Sequence, residues 1–190
     1  MTIPTLMNNT NKQKYVSRLK KTYSTLAQAT NRIIADEGNP RADIGGWATS
    51  TAVLLNLYKK HLSNSKICDA GTGGCFTQGV KRLNGTNANY DNKNNLILAD
   101  GTQISFPDIF NNCSNNDDGS YNVCAHINVD INGEKNPNTV GIDIFSFSLK
   151  ENGLFPTGCD ESNNQHCTKD TTNGWGCACR VLREGAVNYL

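Results

Sequence analysis

Residues 4–37 form an uninterrupted amphipathic stretch, which limits the folds open to this chain more than any other feature. From Tyr15 onward its apolar residues recur mostly every third or fourth position, the spacing of one helix face. Pro4 suits a first helical turn, and Gly38 followed by Pro40 suits a helix end. About 33 residues at 1.5 Å each predict a helix near 50 Å long, of which a small domain covers only part. The apolar positions are Leu6, Tyr15, Val16, Leu19, Tyr23, Leu26, Ala27, Ile33 and Ile34.

All eight cysteines lie after residue 67, in sequence rich in Asn and Gly: Cys68, Cys75, Cys113, Cys124, Cys159, Cys167, Cys177 and Cys179. An even number in such loops is typical of an exported domain held by disulfides. Chain proximity suggests the pairs Cys68–Cys75 and Cys113–Cys124. The other four allow three connectivities, of which we favour Cys167–Cys177 with Cys159–Cys179. A zinc site that includes His166 is the alternative, but no Cys-x2-Cys pair supports it.

The overall composition argues against two classes of partner. The net charge of +1 lacks the basic excess of a nucleic-acid surface, so no nucleic-acid partner is expected. The mean hydropathy is −0.51, and no apolar run is long enough to span a membrane. The first residues also lack the basic and apolar parts of a signal peptide. Because the cysteines nevertheless indicate export, we expect the chain to be a fragment whose upstream targeting segment is missing.

The order of the predicted elements favours an α+β fold in one domain, 1–190. The long helix (1–37) is followed by a second helix (47–62), and a sheet with C-terminal loops occupies 96–190. Asp100-Gly101 joins the strands 96–99 and 102–106 as a hairpin. Residues 121–131 alternate as a half-buried strand, and 141–149 and 154–155 supply the rest. We therefore predict an antiparallel sheet of about four strands, with the loops held by disulfides.

Candidate chemical sites are few. Asp130, Asn132, Asn138 and Asp143 supply oxygen ligands around Gly133 that a calcium ion would accept, although the spacing is not that of an EF-hand. The interpretation we favour is a long turn in which Asp and Asn bind their own backbone, so no metal or other cofactor is expected. No serine-hydrolase or zinc-protease motif occurs, and an even cysteine count leaves no spare thiol beside His126. We expect a protein that is not an enzyme.

Two parts of the chain resemble bacterial type IV pilin-like proteins and pseudopilins, which carry a prepilin-type cleavage and methylation signal. Thr2-Ile-Pro-Thr-Leu6, with Tyr15-Val-Ser-Arg-Leu-Lys-Lys-Thr-Tyr-Ser-Thr-Leu-Ala-Gln-Ala29, is similar to the junction where the apolar assembly helix enters the head. Val-Asp-Ile-Asn-Gly-Glu-Lys-Asn-Pro-Asn-Thr-Val-Gly-Ile-Asp-Ile-Phe-Ser-Phe at 129–147 resembles their head domains. So do Gly174-Trp-Gly-Cys-Ala178 and Val181-Leu-Arg-Glu-Gly-Ala-Val-Asn-Tyr189.

The resemblance implies a pilin-like head and a structural role. Such proteins begin with a leader and about 20 apolar residues, and this chain begins where that apolar segment should end. The implied function is a subunit of a type IV pilus-like or type II secretion pseudopilus filament in the bacterial cell envelope, on its periplasmic or extracellular face. The implied partners are homologous subunits, bound through the N-terminal helix, and the inner membrane before assembly. The predicted assembly face is Tyr15, Leu19, Tyr23 and Leu26, whose outer neighbours contact adjacent subunits.

A second interpretation comes from the Asn-rich loops 84–95 and 111–120. Exposed polar loops of this kind are where a secreted or surface-attached binding module, such as an adhesin or lectin-like head, holds its ligand. The two interpretations are not exclusive, and they differ in whether the full gene encodes the cleavable leader and the apolar helix.

Overall fold

The computed structural model describes residues 9–68, 75–88, 94–161, 165–169 and 172–190, with side chains from residue 11 onward. Three α-helices lie in these ranges: α1 (Asn9–Glu37), α2 (Thr51–His61) and α3 (Cys177–Glu184). The described strands are β1 (Lys66–Cys68), β2 (Asn95–Ile97), β3 (Gln103–Ser105), β4 (Asn115–Asp117), β5 (Ser120–Val123), β6 (Ala125–Asp130), β7 (Ile144–Lys150) and β8 (Gly153–Pro156). Two helices precede the strands and α3 follows them, so helices and strands are segregated along the chain, as in an α+β domain.

The main sheet has six strands in the order β1-β2-β3-β6-β7-β8, and every neighbouring pair is antiparallel. β4 and β5 form a separate two-stranded ribbon. The predicted α+β class is therefore correct, but the prediction of a pilin-like sheet of about four strands is wrong. β1 and β4 were missed because each is three residues long and neither shows a run of alternating apolar residues.

The predicted strand 121–131 divides into β5 and β6 on either side of Cys124. Asn122 adopts a left-handed backbone φ of 56°, and Cys124 is bonded to Cys113, so the two halves join different sheets. The alternation itself identified the inward-facing residues correctly. All of them are buried: Val123, Ala125, Ile127, Val129 and Ile131.

One face of the main sheet is apolar and packs under α1. Leu96, Ile104, Val129 and Phe145 are cross-strand neighbours and form one fully buried row. Buried helix side chains, among them Leu19, Leu26 and Ile33, belong to the same core. Burial of this apolar surface is the main force that holds the helix on the sheet.

The opposite face of the sheet is polar and is nevertheless buried. Asn95, Ser105, Asn128 and Ser146 form a row across four strands, and none is more than 6% exposed. A small apolar cluster also lies on this side, where Ile144 of β7 meets Phe76, Val80 and Val140. The strand 121–131 was expected to be half-buried, but the structure covers both faces of β6.

Local interactions explain where the first two helices end and begin. Gly38 follows α1 with a φ of 83°, and its N–H donates to the Ile34 carbonyl at 2.9 Å. α2 begins at Thr51 rather than at Trp47, because the Ser50 hydroxyl accepts the N–H of Val53 at 3.2 Å. The predicted first turn of α1, at Pro4, lies outside the described residues.

Candidate assembly surface

The predicted assembly stripe of α1 faces the chain's own sheet. Leu19 and Leu26 are fully buried, and Tyr15 and Tyr23 are half-buried. The Tyr23 ring stacks on Phe147 at 5.3 Å between centroids, and its hydroxyl donates to the Leu154 carbonyl at 3.2 Å. Partial burial raises the pKa of Tyr23. This stripe therefore fixes α1 on the chain's own sheet.

Polar contacts hold α1 along its length. Near its start, the Arg18 guanidinium donates to the Ile131 carbonyl at 3.1 Å. Near its end, the hydroxyls of Thr30 and Tyr58 lie 2.5 Å apart inside the core, where burial raises the pKa of Tyr58. With 29 residues, α1 is about 43 Å long. These contacts fix it to the domain near its start and near its end.

The outer side of α1 begins with a basic segment, residues 11–21. It contains Lys12, Lys14, Arg18, Lys20 and Lys21 and no acidic residue. Lys14, Lys20 and Lys21 are exposed. Lys21 forms an ion pair with Asp100 at 2.6 Å, whereas within the described residues neither Lys14 nor Lys20 has an acidic partner. These two lysines lie about 9 Å apart along the helix axis and about 120° apart around it.

Charge is unevenly distributed between this helix and the rest of the chain. Residues 1–35 carry six Lys or Arg and no Asp or Glu, while residues 36–190 carry 12 and 17, a net charge of −5. The near-zero total therefore conceals two oppositely charged parts. Such a separation produces electrostatic complementarity between copies of one chain when the parts meet.

An open groove of about 510 Å³ lies beside the β4–β5 ribbon, and we call it the Tyr121 groove. The Tyr121 side chain is 43% exposed there. Its hydroxyl donates to Glu161 at 3.0 Å, and its pKa is raised because that hydrogen bond and the carboxylate charge favour the neutral phenol. The residues that line the groove are Tyr121, Asn122, Lys150, Glu151, Asn152 and Asp160.

The basic segment and the Tyr121 groove lie at opposite ends of the domain. Glu151, in the turn between β7 and β8, accepts a hydrogen bond from Arg41, four residues past the end of α1, at 3.3 Å. By contrast, Lys21 contacts Asp100 in the β2–β3 turn, at the other end of the strands. From Lys14 to the end of α1 the distance along the helix is about 35 Å.

All eight cysteines form disulfides: Cys68–Cys75, Cys113–Cys124, Cys159–Cys179 and Cys167–Cys177. The first two are the pairs suggested by chain proximity, and the last two are the connectivity favoured from the sequence. Paired sulfurs leave no thiolate for zinc or for nucleophilic attack in this state. Four disulfides indicate an oxidising, extracellular or periplasmic environment.

The residues of the calcium alternative meet at the connection between β6 and β7. Asp143 accepts hydrogen bonds from the Asn132 amide and from the backbone N–H groups of Asn138 and Thr139, at 2.7–3.1 Å. Asp130 accepts the Thr77 hydroxyl at 2.5 Å and the Asn132 N–H at 3.0 Å. These are contacts of the turn interpretation, in which carboxylates bind nearby backbone.

Asp130 and Asp143 are both fully buried. Burial raises the pKa of Asp130 to about 7 and that of Asp143 to about 6, against the opposing effect of their hydrogen bonds. The side-chain oxygens of Asn132 and Asn138 are buried without a hydrogen-bond partner. Among the described residues, no three His, Cys, Asp or Glu side chains group together as metal ligands would.

The loops of the binding-module interpretation are partly ordered by their own side chains. In the loop 84–95, the Asn84 side chain accepts the N–H of Thr86 at 3.2 Å, and residues 89–93 lie outside the described part. In the loop 111–120, Asn112 binds Ser114 in the same way, and β4 pairs with β5. Sequence reasoning missed the Tyr121 groove, since its lining comes from three separate segments.

Comparison with known proteins gives one match. The model of a family of unknown function (DUF6613) matches residues 5–187. No curated protein and no solved structure matches the chain. No helix in the described ranges has the length and apolar character needed to cross a bilayer.

Proposed function

The chain belongs to this family of unknown function (DUF6613), and we propose that it is the head of a filament subunit. The filament is of the type IV pilus-like or type II secretion pseudopilus class, and the subunit assembles with homologous subunits through its N-terminal helix. The function is structural, in the bacterial cell envelope, with the head on the periplasmic or extracellular side.

The observation that carries this proposal is that the inner and outer sides of α1 have different roles. Its inner stripe packs on the chain's own sheet through Leu19, Tyr23 and Leu26, while Lys14 and Lys20 on its outer side are free of ion pairs within the described residues. One side of this long helix is packed on the head and its other side is exposed. A contact made along the exposed side therefore fixes the position of the head. That is what a filament requires of its subunit.

The disulfides agree with this role. Cys159–Cys179 and Cys167–Cys177 both join α3 to the polar segment that precedes it, after β8. Cross-links of this kind restrict the unfolded chain and stabilise a loop-rich domain by several kcal/mol, about 2–4 each. A head exposed outside the cell has no chaperones that use ATP, so covalent stabilisation suits it. The resemblance of residues 2–29 and 129–189 to pilin-like proteins supports the same class.

The experiment is to locate the protein on cells that express its gene. Filaments sheared from the surface are analysed by immunoblot and by immunogold electron microscopy with antibodies raised against this chain. We expect the chain in the sheared fraction and label repeated along the filaments. Antibodies preabsorbed with purified chain provide the control.

Two results would overturn the filament proposal. Chain found only in the culture medium would favour the secreted binding module. Label spread over the cell surface, with none on filaments, would favour a surface-attached adhesin that uses the loops 84–95 and 111–120.

A further inference from the structure

We propose that copies of this chain dock head to tail, with the basic segment (residues 11–21) of one copy against the Tyr121 groove of the next. This inference rests on the proposed function and names the surface through which the heads meet. The partner is a second copy of the same chain.

The helix side of the contact is the exposed pair Lys14 and Lys20. Neither has an acidic partner within the described residues, and no acidic residue lies between positions 1 and 35. An ammonium group is strongly hydrated, so these lysines lose little by remaining in water as long as the copy is alone. They gain favourable electrostatic and cation–π interactions when an acidic surface with an accessible aromatic ring approaches.

The Tyr121 groove supplies such a surface. Glu151 and Asp160 contribute carboxylates to its lining, and Glu161 is hydrogen-bonded to the Tyr121 hydroxyl. The one basic residue in the lining, Lys150, is already paired with Asp160 at 2.5 Å. The Glu151 side chain is 45% exposed, and its two partners, Arg41 at 3.3 Å and the Asn39 amide at 3.2 Å, also lie on the surface. The aliphatic stem of an incoming lysine packs on the Tyr121 ring while its ammonium reaches Glu151.

The position of the two surfaces determines the kind of assembly. They are different patches at opposite ends of the domain, about 35 Å apart along α1. A contact between unlike patches is heterologous, and when its rotation does not close into a ring it produces an open helical filament. A two-fold dimer would instead make the contact twice, with the basic segment of each copy on the groove of the other, and the assembly would stop at two copies.

Charge selects a second copy as the occupant. The basic segment and the part of the chain after residue 35 have opposite net charge. Each copy therefore carries both halves of a complementary pair. An anionic lipid surface would satisfy the lysines alone and would leave the Tyr121 groove without a role.

The test is carbodiimide cross-linking, which joins a lysine directly to a carboxylate, in an equal mixture of light and 15N-labelled chain. Mass spectrometry then separates links between copies, which contain one light and one heavy peptide, from links within a copy. We expect mixed links from Lys14 or Lys20 to Glu151 or Asp160 at low salt. We expect these links to weaken in about 0.5 M NaCl, where exposed charges are screened within about 4 Å.

Charge reversal adds specificity to the test. Because these substitutions remove the cross-linked groups themselves, their effect is measured as self-association by sedimentation velocity. K14E/K20E is expected to weaken self-association by about ten-fold, and E151K alone to do the same. A mixture of K14E/K20E with E151K should restore part of the association, because the charges are complementary again. The matched control is K66E/K135E, which changes the net charge equally at two exposed lysines elsewhere. Equal urea midpoints for all variants show that the fold is intact.

Three outcomes overturn the docking proposal. The first is links that occur only within one copy. The second is self-association that K66E/K135E weakens as much as K14E/K20E does. The third is binding to vesicles of anionic phospholipid that K14E/K20E abolishes while no mixed links form, which would assign the basic segment to a membrane. Chain found in sheared filaments without these links would leave the filament function in place and reject this contact alone.

Discussion

Tyr23 of α1 stacks on Phe147 of β7, with ring centroids 5.3 Å apart and ring planes inclined by 20°. This contact lies at the centre of the helix–sheet interface, between the buried residues Leu19 and Leu26. With these neighbours, it shows that the apolar stripe of α1 packs on the sheet of the same chain. Any surface for a neighbouring subunit must therefore lie on the outer side.

Truncation of Tyr23 tests this interface. Tyr23→Ala removes the stacked ring and the hydrogen bond to Leu154, so we expect it to lower the free energy of unfolding by about 2–3 kcal/mol. Tyr23→Phe removes only the hydroxyl and should cost about 1 kcal/mol. Urea denaturation without reductant gives both values. Ser24→Ala, at the adjacent exposed position, is the control. If Tyr23→Ala were as stable as this control, Tyr23 would not contribute to the helix–sheet interface.

Stability should decrease as pH rises from mildly acidic to mildly basic. The folded-state pKa values of Asp130 and Asp143, about 7 and about 6, exceed the ordinary 3.8 because both side chains are buried. The folded chain therefore holds protons that the unfolded chain releases, and this stabilisation is complete below about pH 4 and lost as pH rises through 6 and 7. We expect the free energy of unfolding to be about 4 kcal/mol greater at about pH 5 than at about pH 8, of which Asp130 contributes the larger part.

Two variants isolate the source of that pH dependence. Asp130→Asn removes one titrating group and should flatten the profile between about pH 5 and 8. Glu134→Gln removes an exposed carboxyl from the same connection and should leave the slope unchanged. A profile that keeps its slope in Asp130→Asn would show that other groups control it.

Calcium tests the two interpretations of the connection between β6 and β7. The oxygens of Asp143 accept three N–H groups, which compete with a cation for the same lone pairs. We therefore expect the same melting temperature with calcium chloride and with a chelator at neutral pH. A rise in melting temperature with calcium that Asp143→Asn removes would instead identify a cation site, with the unpartnered oxygens of Asn132 and Asn138 as further ligands.

The disulfide between Cys167 and Cys177 should contribute strongly to stability, since both residues are fully buried. Replacement of both by Ala frees the unfolded chain and leaves a cavity, and we expect a loss of about 3 kcal/mol in urea denaturation. Intact mass after alkylation should show no added groups in the wild-type chain before reduction. Alkylation of any cysteine under those conditions would contradict the fully paired state.

Several features were predictable from local sequence. The 3.6-residue period identified the buried face of α1, Gly38 marked its end, and the Asp100-Gly101 pair identified the β2–β3 hairpin. Short spacing between cysteines suggested two disulfides. Local geometry decides each of these features, because the interacting residues lie close together along the chain.

Other features depended on residues far apart in sequence. The pairing of β1 with β2 joins segments separated by a long polar stretch, and the alternating pattern in β6 does not reveal that its polar side is also buried. The raised pKa values of Asp130 and Asp143 follow from that burial. The two-residue alternation of a strand does not indicate which segments of the chain will pack on its polar face.

The sequence alone determined that this chain has a long amphipathic helix, an α+β order of elements and an oxidised set of cysteines, since composition and short-range spacing decide these properties. Only the tertiary structure decided that the sheet has six strands, that Tyr23 packs on Phe147, and that the basic segment and the Tyr121 groove lie at opposite ends. These relationships arise from long-range packing, in which the burial of apolar surface chooses among pairings that the local sequence leaves equivalent.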